Sequence, residues 1–205
     1  PFRRPVPRPG PTADGRHVWQ DAVVTAPSGF LVTPGASADR DNRTLVALDD
    51  GLDLPVERVT IAGRSPRKVH GQLRGDLDGF AGRLGVDVAT LAIGGRSFGG
   101  RMCSMLAAGT EGDPVTVAAL VLLSYPLHPP GKPDTLRVDH FPDISVPTLF
   151  VSGTKDPFGS PDELQTHAEA IAGPVDFVWI EGQAHSPRDD EPVVEAVADW
   201  LAGLG

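Results

Sequence analysis

The sequence predicts an α/β protein built on a mostly parallel, doubly wound sheet that is flanked by helices. From residue 29 onward, short apolar runs of strand length alternate with longer stretches whose apolar residues recur at helical spacing. One run, residues 117–123, is apolar throughout, as expected of a strand that is covered on both faces in a parallel sheet. Regular alternation of strands and helices favours crossover connections, and therefore parallel strands.

The predicted elements follow one another from residue 29. Strands are predicted at residues 30–32, 56–62, 89–93, 117–123, 148–151 and 175–180. Helices are predicted through residues 44–48, at 72–84 and 98–108, from residue 160 onward, and at 193–204. The helix at 72–84 has one apolar face, made of Leu73, Leu77, Phe80, Ala81 and Leu84. The start near residue 160 is marked by a capping serine, a proline and a glutamate, Ser160, Pro161 and Glu163.

We expect one folded domain over residues 29–205. Residues 1–28 form a Pro/Arg-rich leader, predicted to be loosely ordered or to contribute one edge strand. Because the chain begins without methionine, we expect a fragment or a trimmed product. The longest irregular stretch, residues 126–146, contains two histidines, and a loop of that length in a compact domain is more often functional than idle. No large lid insertion is expected.

Composition excludes several classes of function. The net charge of −9 argues against nucleic acid as a partner, because phosphates require a basic face. No apolar run approaches the length of a membrane helix. The single cysteine, Cys103, excludes an internal disulfide, which suits a reducing compartment, and it fits a buried apolar role. A cytoplasmic location is the expectation by default. Neither metal-ligand spacing nor a phosphate-binding loop is present, so no metal and no cofactor is predicted.

The candidate nucleophile is Ser97, in the sequence Gly95-Arg96-Ser97-Phe98-Gly99. This G-x-S-x-G pattern falls between the strand at 89–93 and the helix at 98–108, and that context lifts a serine hydroxyl clear of a sheet at the head of a helix. A side chain at either flanking glycine is expected to collide with the neighbouring strand or helix. Arg96 and Arg101 could attract an anionic substrate, although solvation on a helix surface is the commoner explanation.

An activated serine needs a base and a group that orients the base. Of six histidines, His185 follows the last strand directly, whereas His128 and His140 lie in the long loop. Asp156 follows the strand at 148–151 and is the candidate orienting carboxylate. Each could also be an ordinary loop residue, but the order serine, aspartate, histidine is that of known triads of this architecture.

Other acidic residues near these turns have simpler explanations. Asp162 and Glu163 fit helix capping, and Asp189 follows His185 too closely to reach its far side.

The oxyanion of the reaction needs hydrogen-bond donors. One is expected to be the backbone N–H of Phe98, and the other that of Gly35 or, preferably, Ala36, since Pro34 has no N–H. A plain Pro-Gly turn is the alternative interpretation of this loop. The predicted substrate pocket is small and open, and it is lined by Tyr125, Leu127, His128 and Phe158.

Several segments resemble a known family. Residues 94–102 (GGRSFGGRM), 33–41 (TPGASADRD) and 125–133 (YPLHPPGKP), with 153–156 (GTKD) and 184–186 (AHS), are similar to the α/β-hydrolase-like family that includes testis-expressed protein 30 and subunit 3 of the NSL histone acetyltransferase complex. That family is distantly related to dienelactone hydrolases. The resemblance implies an α/β-hydrolase fold with Ser97, Asp156 and His185 as its triad.

The sequence departs from this family in two places. Pro34 stands where relatives often have histidine, which is tolerable because backbone groups make the oxyanion hole. The antiparallel strands that usually precede this loop are expected to be reduced or absent. The leading hypothesis is a serine hydrolase acting on a small carboxylic ester or thioester. A non-catalytic protein-interaction module, and acyl transfer to an acceptor other than water, are its alternatives, and the oligomeric state is left open.

Overall fold

The computed structural model describes residues 26–204, so the predicted leader lies outside the described residues except for its last three positions. Six strands form one sheet: β1 (Gly29–Thr33), β2 (Val56–Arg58), β3 (Leu91–Arg96), β4 (Ala119–Leu123), β5 (Thr148–Gly153) and β6 (Val175–Ile180). Their order is β2-β1-β3-β4-β5-β6, and every neighbouring pair is parallel. The predicted parallel, doubly wound sheet is therefore confirmed.

Helices cover both faces of the sheet. They are α1 (Arg43–Gly51), α2 (Pro66–Leu84), α3 (Phe98–Ala108), α4 (Pro161–Ala168) and α5 (Glu191–Ala202). Helices α2, α3 and α4 pack on one face, and α1 and α5 pack on the other, with a separate apolar core on each side. Within the described residues, none of these helices is both long enough and apolar enough to cross a membrane.

Side chains of each strand alternate between the two cores. On β4, Leu120 and Leu122 join the core under α2 and α3, whereas Val121 and Leu123 join the core under α1 and α5. All five residues of β4 are buried. This two-sided burial explains why the strand is apolar at every position, as the sequence predicted.

Three predicted strands start later or end earlier in the structure. The prediction of a strand over residues 56–62 is wrong beyond Arg58. Its neighbour in the described sheet, β1, reaches Pro34 two positions after the last paired residue, Val32, and proline has no N–H to donate. Strand β3 begins at Leu91 because Val88–Thr90 forms a 3₁₀ turn, in which the Asp87 carboxylate accepts from the Ala89 N–H and the Asp87 carbonyl accepts from the Thr90 N–H. Strand β4 begins at Ala119 rather than at residue 117.

Helix predictions differ mainly at their starts. Helix α2 begins at Pro66, six residues before the predicted position, and its predicted apolar face is buried from Leu73 to Ala81. Helix α3 spans the predicted residues. Helix α4 begins with the predicted capping box, in which the Ser160 hydroxyl accepts from the Glu163 N–H and the Glu163 carboxylate accepts from the Ser160 N–H. Helix α5 begins two residues early, at Glu191.

The strand order places a crevice between β1 and β3. The chain runs outward from β1 to the edge strand β2 and then returns to the centre at β3, from which the sheet grows in the opposite direction. At such a reversal, the loops that leave the carboxyl ends of the two central strands diverge, and ligands bind between them. The loop after β1 begins at Pro34, and the residue after β3 is Ser97.

Candidate active site

Ser97 makes the whole turn between β3 and α3. Strand β3 ends at Arg96 and α3 begins at Phe98, so the reversal is concentrated in one residue, with φ 50° and ψ −115°. Such a conformation costs a non-glycine residue about 1–3 kcal/mol and persists only where the surroundings hold it. Here the Ser97 N–H donates to the Leu123 carbonyl at 2.8 Å, and the Ser97 carbonyl accepts from the Arg101 N–H at 3.0 Å.

The glycines on either side of Ser97 are required by close packing. A Cβ atom on Gly95 would lie 1.9 Å from Thr33 Oγ1, and one on Gly99 would lie 2.3 Å from the Pro34 carbonyl oxygen. Both distances are far shorter than a van der Waals contact. Thr33 is the last residue of β1, and Pro34 directly follows it. The predicted steric reason for these glycines is therefore confirmed.

Three side chains meet at the carboxyl edge of the sheet. His185 Nε2 lies 2.8 Å from Ser97 Oγ, and His185 Nδ1 lies 2.8 Å and 3.0 Å from the two carboxylate oxygens of Asp156. A carboxylate only accepts hydrogen bonds, so Nδ1 carries a proton, and in the neutral imidazole Nε2 then accepts from the Ser97 hydroxyl. The structure thus brings together the serine, histidine and aspartate that the sequence singled out.

The carboxylate of Asp156 is held from two sides. Its side chain is 1% exposed, and besides His185 its Oδ1 accepts the backbone N–H of Phe158 at 2.9 Å. The Phe158 ring lies against the imidazole of His185, with the ring centroids 4.0 Å apart and the planes inclined by 27°. The Asp156 turn therefore fixes both the edge and the face of the histidine ring.

The loop after β1 lies beside the serine. Gly35 is buried, and a Cβ atom placed on it would be 3.7 Å from Ser97 Cβ, whereas Ala36 is exposed. Phe98 is the first residue of α3, and the N–H groups of a first helical turn have no partner within the helix. The predicted donors, Phe98 and Ala36, thus belong to the two segments that flank the serine.

Two of the four predicted pocket residues lie elsewhere. Tyr125 and Leu127 are 1% and 0% exposed, so neither lines an open pocket. The reason is that the Tyr125 ring packs against Phe141 and Phe150, and its hydroxyl donates to the Arg137 carbonyl at 2.7 Å. These two side chains of the long loop therefore pack into the core under α3 instead of lining the site.

The other two pocket residues lie near the triad but differ in exposure. Phe158 is partly exposed and stacks against the ring of His185. His128 is buried, with Nδ1 2.9 Å from the Pro129 carbonyl and Nε2 3.6 Å from a carboxylate oxygen of Glu163. Its backbone N–H donates to the Phe158 carbonyl at 3.0 Å, so His128 supports the segment that carries Phe158.

Sequence reasoning missed the role of Arg96. The prediction of a solvated helix-surface arginine is wrong at this position, because Arg96 ends β3 and its guanidinium donates to the His185 carbonyl at 2.7 Å and to Ser186 Oγ at 2.5 Å. Burial lowers the pKa of Arg96, while the carboxylates of Asp156 and Asp190 oppose that shift. Its place at the carboxyl end of a central strand, next to the serine, was the signal that could have revealed it.

Cys103 is a structural residue of helix α3. It is 1% exposed, and burial raises the pKa of its thiol to about 12, so the thiol is neutral. Its sulfur donates to the Gly94 carbonyl at 3.3 Å, which links α3 to β3 behind the serine. The predicted buried apolar role is confirmed.

A serine on a strained turn between a central parallel strand and a helix, on a sheet of this order, defines the α/β-hydrolase class of folds. The chain belongs to the family described as "Alpha/beta hydrolase domain", whose family model matches residues 57–192, more than half of the chain. Among curated proteins, it is 40% identical over 63 residues to epoxide hydrolase A of Mycobacterium tuberculosis. That match covers 30% of this chain and only 20% of the relative's length.

Solved structures share the fold at low sequence identity. Est1E from Butyrivibrio proteoclasticus superposes with a TM-score of 0.68 at 20% identity, covering 88% of this chain and 89% of Est1E. Dienelactone hydrolase from Anabaena variabilis superposes with a TM-score of 0.66 at 18% identity, covering 86% of each chain. At these identities the likeness establishes the fold alone.

Proposed function

We propose that this protein is a serine hydrolase that cleaves a small carboxylic ester or thioester through an acyl-enzyme intermediate. The observation that carries the proposal is the continuous chain of hydrogen bonds from the Ser97 hydroxyl through the His185 imidazole to the Asp156 carboxylate, each 2.8 Å at its shortest. A structural serine and histidine have no need of a buried carboxylate in line behind them.

In the acylation step, Ser97 Oγ attacks the carbonyl carbon of the substrate while its proton passes to His185 Nε2. Asp156 stabilises the imidazolium that forms and keeps its ring in place. The carbonyl oxygen becomes an oxyanion, for which the backbone N–H groups of Phe98 and Ala36 are the proposed donors. His185 then returns the proton to the departing alkoxide or thiolate, which leaves Ser97 acylated.

In the deacylation step, water takes the place of the leaving group. His185 Nε2 removes a proton from the water as it attacks the acyl carbon, and a second tetrahedral oxyanion forms on the same donors. Collapse of that intermediate breaks the bond to Ser97 Oγ, which recovers the proton from His185. The products are the carboxylic acid and the alcohol or thiol.

The proposed preference for small substrates rests on the surroundings of the serine. Phe158 is the partly exposed apolar side chain next to His185, whereas Tyr125 and Leu127 are buried in the core. Between β4 and β5 the described chain has one loop with a single 3₁₀ turn, Phe141–Asp143, and no inserted lid domain. Among the fold neighbours, Est1E from Butyrivibrio proteoclasticus has been solved with ferulic acid bound.

We further propose membership of the narrower family that includes testis-expressed protein 30. The support is the set of sequence motifs around Ser97, Gly35, His128, Asp156 and His185. This kinship does not supply a substrate, so the ester or thioester class rests on the site.

The test is covalent labelling with a fluorophosphonate probe, which reacts with an activated serine hydroxyl. We expect the wild-type protein to be labelled stoichiometrically and Ser97→Ala to be unlabelled, with hydrolysis of short-chain nitrophenyl esters or acyl thioesters lost in parallel. Ser104→Ala is the matched control, since Ser104 also contacts a histidine but is fully buried. That variant is expected to label as the wild type does.

The alternatives predict different outcomes. A folded wild-type protein that takes up no label would contradict the proposal and favour the non-catalytic interaction module. Labelling of Ser97 together with transfer of the acyl group to an alcohol or amine, in preference to water, would favour acyl transfer by the same three residues. Product analysis with and without such acceptors separates these cases.

A further inference from the structure

The proposed base is carried by an irregular loop. His185 lies between β6, which ends at Ile180, and α5, which begins at Glu191, and no helix or strand includes it. Its neighbours Ala184 and Ser186 are exposed, and its own side chain is 17% exposed. Asp156 and Phe158 hold the imidazole ring itself, whereas the backbone of this loop is bound by polar groups from other segments.

Two arginines bind this loop at different points. Arg96 Nη2 donates to the His185 carbonyl at 2.7 Å and to Ser186 Oγ at 2.5 Å. Arg43 donates to the Pro187 carbonyl at 2.5 Å and to the Arg188 carbonyl at 2.8 Å, and its Nε pairs with Asp190 at 2.7 Å. Arg43 therefore anchors the part of the loop beyond residue 186, and Arg96 anchors the residue that carries the base.

Arg96 also lies next to both other parts of the site. It directly precedes Ser97, and its backbone is fixed as the last residue of β3, where it pairs with Leu123 of β4. A Cβ atom on Gly35 would lie 3.5 Å from Arg96 Nη1, so the guanidinium passes close to the loop after β1. Arg96 thus binds the histidine loop and lies close to the β1 loop, and it is covalently joined to the serine.

We propose that Arg96 is a positioning residue, which holds the His185 loop so that the imidazole Nε2 stays within hydrogen-bond distance of Ser97 Oγ. This inference rests on the proposed function. A guanidinium suits the task because its rigid fork holds several acceptors at once, whereas a lysine ammonium acts as a point charge on a flexible stem. A shift of about 1 Å in a reacting group lowers a rate by as much as about 100-fold.

The experiment compares Arg96→Met with Arg96→Lys, and with Arg43→Met as the matched control on the same loop. The first readout is the second-order rate constant for labelling of Ser97 by the fluorophosphonate. We expect about a 10- to 100-fold decrease for Arg96→Met, a smaller decrease for Arg96→Lys, and less than about a threefold change for Arg43→Met. Added guanidinium ion is expected to restore part of the rate of Arg96→Met only.

The second readout does not depend on activity. In proton NMR, the Nδ1–H of a histidine bonded to a carboxylate gives a resonance far downfield, and here it reports the contact of His185 with Asp156. We expect this resonance in the wild type and in Arg43→Met, and its loss or broadening in Arg96→Met. Thermal unfolding of each variant shows whether the domain is still folded.

The possible results separate the two proposals. Arg96→Met that labels at the wild-type rate would overturn this inference, as would equal losses in Arg96→Met and Arg43→Met, which would indicate general loosening of the loop. If Arg96→Met does not fold, Arg96→Lys decides, since a wild-type rate and resonance there would overturn the inference. If the wild type takes up no label, the proposed function is contradicted. The inference about Arg96 is then tested by the NMR resonance alone: its loss in Arg96→Met but not in Arg43→Met supports the inference, and its retention in Arg96→Met overturns it.

Discussion

Two serine–histidine contacts in this protein have the same length and different chemistry. Ser97 Oγ lies 2.8 Å from His185 Nε2 at the edge of the sheet, and Ser104 Oγ lies 2.8 Å from Nε2 of His140, a buried residue of the long loop. Both serines belong to the same segment of chain, one at the turn before α3 and the other within that helix. The comparison shows which features besides distance make a serine available for reaction.

The two pairs differ in which group donates the hydrogen bond between serine and histidine. The Ser104 hydroxyl donates to the Arg101 carbonyl at 2.9 Å, so the Ser104 oxygen accepts from His140 Nε2–H. At Ser97 the donor and acceptor are exchanged, because Asp156 accepts the hydrogen bond of the His185 Nδ1–H, which leaves Nε2 as the acceptor. A histidine can act as a base only in the second arrangement.

The two pairs also differ in their exposure to solvent and in the charges around the histidine. Ser104 is fully buried, and burial lowers the pKa of His140 to about 4, assisted by the nearby Arg101 cation and opposed by Asp139. A histidine with that pKa stays neutral at pH 7 and serves as a hydrogen-bond donor in the core. Ser97 and His185 are partly exposed, so a substrate and water can reach them.

The largest expected effect comes from replacing each of the two histidines with alanine. His185→Ala removes the proposed base, and we expect ester hydrolysis to fall by about 10⁴-fold or more, as for other triads. His140→Ala is expected to change the turnover number of the folded protein by less than about threefold, although it destabilises the fold. Steady-state kinetics corrected for folded fraction checks both, and equal losses of turnover would contradict the distinction.

The next largest effect is expected from replacing Asp156, the group that determines which nitrogen of His185 carries the proton. In Asp156→Asn the amide replaces the carboxylate that accepts the His185 Nδ1–H, which favours the tautomer whose Nε2 is protonated. We expect turnover to fall by about 10³- to 10⁴-fold while the fold is kept. This change would make the His185 contact resemble that of His140. A turnover within tenfold of the wild type would show that Asp156 does not orient the imidazole.

Stability below pH 7 should depend on His140. The unfolded chain binds this proton near the ordinary pKa of about 6.5, and the folded chain only near 4, so unfolding is favoured as the pH falls through that interval. His140 alone is expected to lower the free energy of unfolding by about 2 kcal/mol at pH 5 and about 3 kcal/mol near pH 4, relative to pH 7.

His140→Gln is the matched variant, since glutamine keeps a donor for Ser104 and does not titrate in this range. Urea denaturation at pH 7 and pH 5 should show a smaller pH dependence for His140→Gln than for the wild type. Identical pH dependence in the two proteins would mean that the imidazole of His140 is protonated as readily in the folded state as in the unfolded state.

The smallest effect tests the structural role of Ser104. Ser104→Ala leaves the buried Nε2–H of His140 without its acceptor, and a loss of this kind costs about 1–3 kcal/mol. Chemical denaturation at pH 7 measures it. Because the labelling rate of Ser97 should be unchanged in the same variant, a loss of labelling in the folded protein would show that the two pairs are coupled.

Much of the fold was predictable because the local sequence pattern specifies several of its helices and strands. The continuous apolar run of β4, the alternation of strands and helices, and the Ser160–Glu163 capping box each indicate one element without reference to the rest of the chain. The ends of elements were less predictable because they depend on neighbours. Strand β2 stops at Arg58 because its partner β1 reaches Pro34, which no property of residues 59–62 reveals.

By itself, the sequence determined the elements and the order in which serine, aspartate and histidine leave the carboxyl ends of three strands. A parallel sheet brings such ends to one edge, so their meeting followed from the order. Only the tertiary structure decided which residues bind and stabilise the loops at that edge. Arg96 binds the loop of His185 at a sequence separation of 89 residues, and Tyr125 turns into the core instead of toward the site. Both outcomes depend on packing between distant segments, which no local pattern specifies.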